Sequence, residues 1–297
     1  MRKLLLVFLG VTIFSCNNKV NILQSSTGSS NEIIVVATDI LWENAAGKII
    51  REHFAKDYPG LQQPEPFFNV IRIKPHDFTA IFKAHQHIIL LSKSQNEGLT
   101  NNKWASPQIV AGLKWDNESN EKELLKKCKN YREVFYKNQL DRAIEKLTQK
   151  NQSIKDNFGA DVKIPSEYTI ITDTTNIFWA TFNPKKSDLI KQILVFNLNI
   201  SEINFYEKLL NKTDSVLAST LKGRNENNFI QIERRFPIDI KDNIYRGQWK
   251  MENNFMGGPF LMKMYSKSEN EIIVVIGLVF APGKNKKRFM LEMEALL

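Results

Sequence analysis

His85 and His87, two apart in a strand-like run, are the side chains whose type and spacing come nearest to chemistry. Residues i and i+2 of a strand share a face, so two imidazoles there could hold one metal ion, with Asp77 or His76 completing the set. Histidines on an edge strand are more often plain surface polar groups, and that reading is preferred, with no cofactor expected. Pro64-Glu65-Pro66 fixes a carboxylate between rigid residues, but acid–base work needs a second group of shifted pKa within reach. A structural or binding loop is the better account. Asn254-Phe255-Met256-Gly257-Gly258-Pro259-Phe260 carries paired glycines, yet a strand follows them instead of a helix N-terminus, so a turn or bulge outranks a phosphate cradle. Cys128 sits among Lys126, Lys127 and Lys129, which could lower a thiol pKa. It also falls on an apolar stripe with Leu124 and Tyr131, the pattern of a buried, inert thiol.

The elements that must position these groups mix strands and helices. Strand-like runs occupy Asn31 to Thr38, Phe67 to Lys74, His87 to Ser92 and Pro107 to Trp115, with helical spacing from Trp42 to Ala55 and from Asp77 to Ala84. Ser119 to about Phe158 reads as one long central helix, bent or broken near Asn138 to Asp141 or around Asn151 where its apolar stripe loses phase. After a boundary at Gly159 to Pro165 come a hairpin (Tyr168 to Phe182), a strand (Ile193 to Ile200) and a helix (Phe205 to Leu221). Three strand-like runs between Gly247 and Phe280 and a final helix from Asn285 close the chain. This is α+β layering: two mixed halves, 31–160 and 161–297, with mainly antiparallel sheets and helices on one face.

The N-terminus carries an address. Arg2 and Lys3 precede an uncharged apolar run from Leu4 to Phe14, the form of a signal peptide over 1–15 and too short to span a bilayer, which takes about 20 residues. Ile13-Phe14-Ser15-Cys16 resembles the lipobox of bacterial lipoproteins, which implies cleavage before Cys16 and acylation of its thiol. Residues 16–30, rich in Ser, Thr, Gly and Asn, read as a flexible tether, with the folded part beginning near Asn31. Cys128 is the second of two cysteines, so an acylated Cys16 leaves it no disulfide partner. A formal charge of +9 favours anionic partners. Scattered lysines without a basic–aromatic module argue against nucleic acid.

Several stretches together resemble domain-of-unknown-function family 4837, lipoproteins of the Bacteroidota envelope. They are Asn31 to Val36 with Trp42, Gly60-Leu61-Gln62-Gln63-Pro64-Glu65-Pro66-Phe67, Phe158-Gly159 leading to Pro165 and Tyr168, Phe178-Trp179, and Arg246-Gly247-Gln248-Trp249 running into Asn254 to Phe260. The resemblance implies a location and no reaction. The expectation is a lipid-anchored envelope protein on the periplasmic face of the outer membrane. It touches the membrane through its anchor and binds an envelope protein, a peptide or an anionic glycan or lipid. The alternative is a hydrolase or transferase whose catalytic residues are dispersed along the chain.

Overall fold

The computed structural model describes residues 23–117, 120–145, 149–150, 153–199, 205–223, 225 and 227–297. The expected signal peptide, Cys16 and the break at Asn151 lie outside the described residues. In chain order the first half holds β1 (Gln24–Ser25), β2 (Glu32–Val36), α1 (Asp39–Glu43), α2 (Ala45–Phe54), β3 (Asn69–Ile73), α3 (Ala80–Lys83), β4 (His87–Ser92), β5 (Gly98–Asn101), β6 (Ala105–Ser106), β7 (Ile109–Lys114) and α4 (Glu121–Ile144). The second holds β8 (Gln149–Lys150), α5 (Ser153–Phe158), β9 (Ile164–Pro165), β10 (Thr169–Asp173), β11 (Ile177–Phe182), β12 (Ile190–Asn199), α6 (Phe205–Thr220), β13 (Ile230–Ile232), β14 (Asp239–Lys241), β15 (Ile244–Met251), β16 (Gly257–Ser266), β17 (Glu271–Phe280) and α7 (Lys287–Leu296).

The α+β class holds, and antiparallel pairing dominates through an eight-stranded sheet ordered β10-β11-β12-β17-β16-β15-β13, with β14 also on β15. The first half departs from that pairing. Its five strands run β3-β2-β4-β7-β5, and β2 pairs parallel with β3 and β4, as β4 does with β7. Helices α1 and α2 intervene between β2 and β3 and α3 between β3 and β4, and a crossover through a helix returns the chain parallel, whereas β4 reaches β7 through the short strands β5 and β6. β4 is therefore central, which corrects the expectation of His85 and His87 on an exposed edge: both are buried.

Continuous apolar runs decide which faces need cover. In β12 and β17 successive residues alternate between two cores, with Ile193, Val195, Ile273 and Val275 on one side and Leu194, Phe196, Val274 and Ile276 on the other. Strands apolar at every position are buried on both faces, so one layer of helix is not enough. α7 covers the first face through Phe289, Met290, Met293 and Leu296, and α6 covers the second through Leu209, Leu210 and Leu217. Helices thus flank this sheet on both sides instead of one.

α4 buries Leu124, Cys128, Tyr131 and Phe135 against the first sheet. It stays helical through Asn138 to Asp141 and ends at Ile144, with α5 starting at Ser153, so the long stretch to Phe158 is broken into two helices and the break falls after Asp141. Ordered pairing also begins before Asn31. β1 runs parallel to β6, Thr27 N donates to Ala84 O at 2.8 Å and Gln86 N to Thr27 O at 3.1 Å, so part of the expected tether is held to the fold by its backbone.

The two sheets meet through side chains from both halves. Glu294 of α7 accepts hydrogen bonds from Tyr58 Oη at 2.8 Å and Tyr136 Oη at 2.6 Å, and pairs with Arg246 of β15 at 2.8 Å. Gly60, at φ +76°, lies where any Cβ would come within 2.7 Å of the Arg246 Cβ, and its carbonyl accepts from Gln248 Nε2 at 2.5 Å. Removing one member of a buried pair strands the other charge at a cost of about 3–5 kcal/mol. Glu294→Ala and Glu294→Gln both leave the Arg246 guanidinium without its counter-charge, so each should lose about that much in urea unfolding, although the amide can still accept from a phenol. A loss for Glu294→Gln far below that for Glu294→Ala would refute the charge argument in favour of the hydrogen bonds alone.

Candidate functional site

α6 stops at Thr220, but the apolar face beneath it continues. Past its end Ile190, Leu278, Phe280, Trp179, Trp249 and Met251 enclose a pocket of about 830 Å³, closed above by Leu221 and Lys222 and at the side by Met256. Each strand contributes by alternation: Ile190 and Gln192 share the β12 face of Leu194, and Leu278 and Phe280 that of Ile276. Trp179 Nε1 donates to Gln192 Oε1 at 2.7 Å and fixes the indole as a wall.

Gly258 lies beside the Trp249 indole. A Cβ there would lie 2.1 Å from Val279 O, the same carbonyl that accepts from Trp249 Nε1 at 3.2 Å. The glycine pair belongs to β16 itself, so the expected turn lies just before it. Asn253 at φ +54° and the Asn254 Oδ1 contact to Met256 N at 3.3 Å make that turn, leaving Phe255 wholly exposed at its tip. The hairpin separates this pocket from a second groove of about 530 Å³ reaching Gln62, Glu233 and Arg235.

The polar rim of the first pocket is mostly amide: Asn183, Gln192, Asn228 and Asn254. Among the described lining residues Lys222 is the one ionisable side chain. An apolar floor, aromatic walls, an amide rim and, among the described residues, one ammonium suit an amphiphile with a polar or anionic head.

The groups singled out from sequence go elsewhere. His87 Nε2 lies 2.9 Å from Asn138 Oδ1 and its ring stacks on Phe135 with centres 4.9 Å apart, while His85 Nε2 faces Glu32 Oε2 at 3.4 Å. The two imidazoles therefore take separate partners. Among the described residues no cluster of three or more His, Cys, Asp or Glu could hold a metal. The His76 and Asp77 side chains face each other at 3.3 Å on the surface. Glu65 proves structural: its carboxylate accepts from Lys286 N at 2.6 Å and Lys287 N at 3.0 Å, capping α7 from the other half of the chain. Cys128 is buried, which pushes its thiol up to about 12. Trp179 and Trp249 lie in stretches that carried the family resemblance. Ile190, Gln192 and Lys222 had no distinguishing signal, since each looks like ordinary strand or helix-end sequence.

The site and fold define a two-sheet α+β protein with an amphiphilic pocket at one end of its larger sheet. Residues 147–297 match the family model described as "Domain of unknown function (DUF4837)", and the chain belongs to that family. Residues 26–148 match a second, "Domain of unknown function (DUF8532)". No curated protein matches the chain. Among solved structures, the human StarD13 (DLC2) lipid transfer and protein localization domain aligns at 8% identity over 50% of this chain and 99% of its own, with a TM-score of 0.22, a likeness too slight to carry an argument.

Two outcomes follow from the buried groups. Burial depresses the His87 pKa from 6.5 to about 4, so the unfolded chain binds a proton that the native state refuses as pH falls between those values. Stability should drop by about 3 kcal/mol from pH near 6.5 to near 4 on this account, a slope that His87→Phe should flatten in urea titrations. Cys128 should resist iodoacetamide in the native protein and react once unfolded. Alkylation of folded protein at the unfolded rate would contradict its burial.

Proposed function

We propose that the chain is a lipid-anchored protein of the bacterial cell envelope, held by acyl chains on Cys16 at the periplasmic face of the outer membrane, with a non-catalytic binding role. Its ligand is an amphiphile seated in the Trp179–Trp249 pocket. The observation that carries this reading is the pocket's lining, a large apolar concavity with Lys222 as its one described ionisable group. General acid–base chemistry needs titratable groups in reach of a substrate, and among the described residues lining this pocket the Lys222 ammonium stands without a carboxylate or imidazole. The convergent titratable groups where the two sheets meet, Tyr58, Tyr136, Arg246 and Glu294, satisfy one another, and the opening beside Tyr136 and Arg246 is about 50 Å³. The anchor rests on the charged, apolar and lipobox-like succession from Arg2 to Cys16. Among the described residues no helix is long and apolar enough to cross a membrane.

Anilinonaphthalene sulfonate, an aromatic monoanion, should bind the folded protein at one site. Trp179→Ala and Lys222→Glu should each weaken it by about tenfold, a change of about 1.4 kcal/mol, while Lys48→Glu on α2 leaves it unchanged. Undiminished dye binding in both pocket variants would overturn the site. Cys16→Ser should abolish palmitate incorporation in cells.

A further inference from the structure

The face of the five-stranded sheet opposite α4 is thinly covered. Ile34, Val36, Ile88 and Val110 form its small core, and over it lie Phe78 and Phe82 from the Pro75 to Lys83 stretch, and Trp104. That cover is aromatic and cationic. Phe78 meets Trp104 edge-on with ring centres 5.6 Å apart. Lys83 Nζ stands 5.8 Å from the Phe78 ring and Lys103 Nζ 4.6 Å from the Trp104 ring. In α3, Ile81 is 77% exposed. The acid of this stretch, Asp77, already faces His76.

The N-terminal segment joins the fold at the same place. Gln24 pairs with Ala105, the residue after Trp104, and Thr27 bridges to His85, two residues after Lys83. Gln24 lies eight residues beyond Cys16, a reach of at most about 28 Å when extended. Whatever surface holds Cys16 is thus kept within that distance of Trp104's neighbour, at a high effective concentration.

We infer that this face, presenting Ile81, Phe78 and Trp104 with Lys83 and Lys103, rests on an anionic lipid bilayer. The inference builds on the lipid-anchored reading above and adds an orientation to it. Indole and phenyl rings favour the boundary between headgroup and acyl chain. Lysine stems lie along such rings while their ammonium groups reach outward to phosphates. An exposed isoleucine beside cations has its counterpart in a bilayer surface, which offers apolar depth and negative charge together. The short tether and the positive charge of the patch select lipid over a protein partner as the occupant.

The test uses the full acylated protein in vesicles of phosphatidylcholine with or without phosphatidylglycerol. Ile81→Cys and, on the helix-covered side, Lys48→Cys provide label sites, because Cys128 is buried and Cys16 acylated. With phosphatidylglycerol a polarity-sensitive dye at position 81 should shift to the blue and be quenched by brominated lipid, and the dye at position 48 should do neither. About 1 M salt, which cuts the screening length to about 3 Å, should reverse the shift. Lys83→Glu with Lys103→Glu should cost at least about fivefold per lysine in the docked fraction. Equal signals at the two sites, or a shift at position 81 that tracks protein concentration without vesicles, would overturn the inference, the latter in favour of self-association. Intact mass of the membrane-extracted chain reads the anchor separately. If Cys16 proves free, the docking claim stands only if the unacylated chain still sediments with the anionic vesicles.

Discussion

One buried carboxylate organises this molecule. Glu294 sits on the last helix, and its partners come from three distant places: Tyr58 from the loop after α2, Tyr136 from α4 and Arg246 from β15. A carboxylate and a guanidinium withdrawn from water are tolerable only when their remaining donors and acceptors are filled. Here the two phenols fill them, and burial above all raises both phenol pKa values, with the Glu294 carboxylate next for Tyr58 and the Tyr58 phenol and then Glu294 next for Tyr136, so they remain donors. The arrangement can be met only when α7, α4, the Tyr58 loop and β15 are all in place. It therefore specifies how the two sheets sit together, which hydrophobic contacts alone would leave loosely defined.

The same helix is held at its other end by the first half. Glu65 caps its leading amides, and the buried Lys287 ammonium donates to Pro66 O at 2.6 Å and Phe67 O at 2.9 Å. Burial lowers the Lys287 pKa to about 8, with Glu65 opposing the shift. Since α7 is fixed at both ends across one face of the large sheet, the opposite face is left to α6. That helix ends before the strands do, and the uncovered remainder is the pocket. The cavity is thus a consequence of how much sheet one helix can cover, with Gly258 removing the side chain that would otherwise separate β16 from Val279 O.

Much of this layout was legible from residue spacing. Strand and helix positions followed from periods of two and of three to four, and Cys128 on the Leu124–Tyr131 stripe was readable as inert. What local pattern could not supply was register and neighbourhood. His85 and His87 read as an exposed pair because a six-residue apolar strand looks alike at an edge and at a centre, and only the parallel pairing of β4 with both β2 and β7 decides it. Glu65 seemed a carboxylate without a partner because its partners are the backbone amides of Lys286 and Lys287, more than two hundred residues away. Helices on one face were expected although β17 is apolar at almost every position, a pattern that already demands cover on both sides.

The stretches that carried the family resemblance acquire a physical reading from the same contacts. Gly60 to Phe67 and Arg246 to Trp249 are far apart in sequence, yet Gly60 must lack a side chain because Arg246 crosses it, Gln248 holds the Gly60 carbonyl, and Trp249 turns to the pocket floor. One side of β15 thus faces the junction through Arg246 and Gln248, and the other faces the pocket through Trp249 and Met251. A substitution at the junction therefore has a direct mechanical route to the pocket through a single strand. A substitution on the α3 face of the first sheet has none, because α4 and the paired strands of that sheet lie between. Binding at the pocket and contact of the α3 face with its surroundings are then separable properties, although the two halves that carry them are joined at the Glu294 node, at the Glu65 cap of α7 and at Gly60.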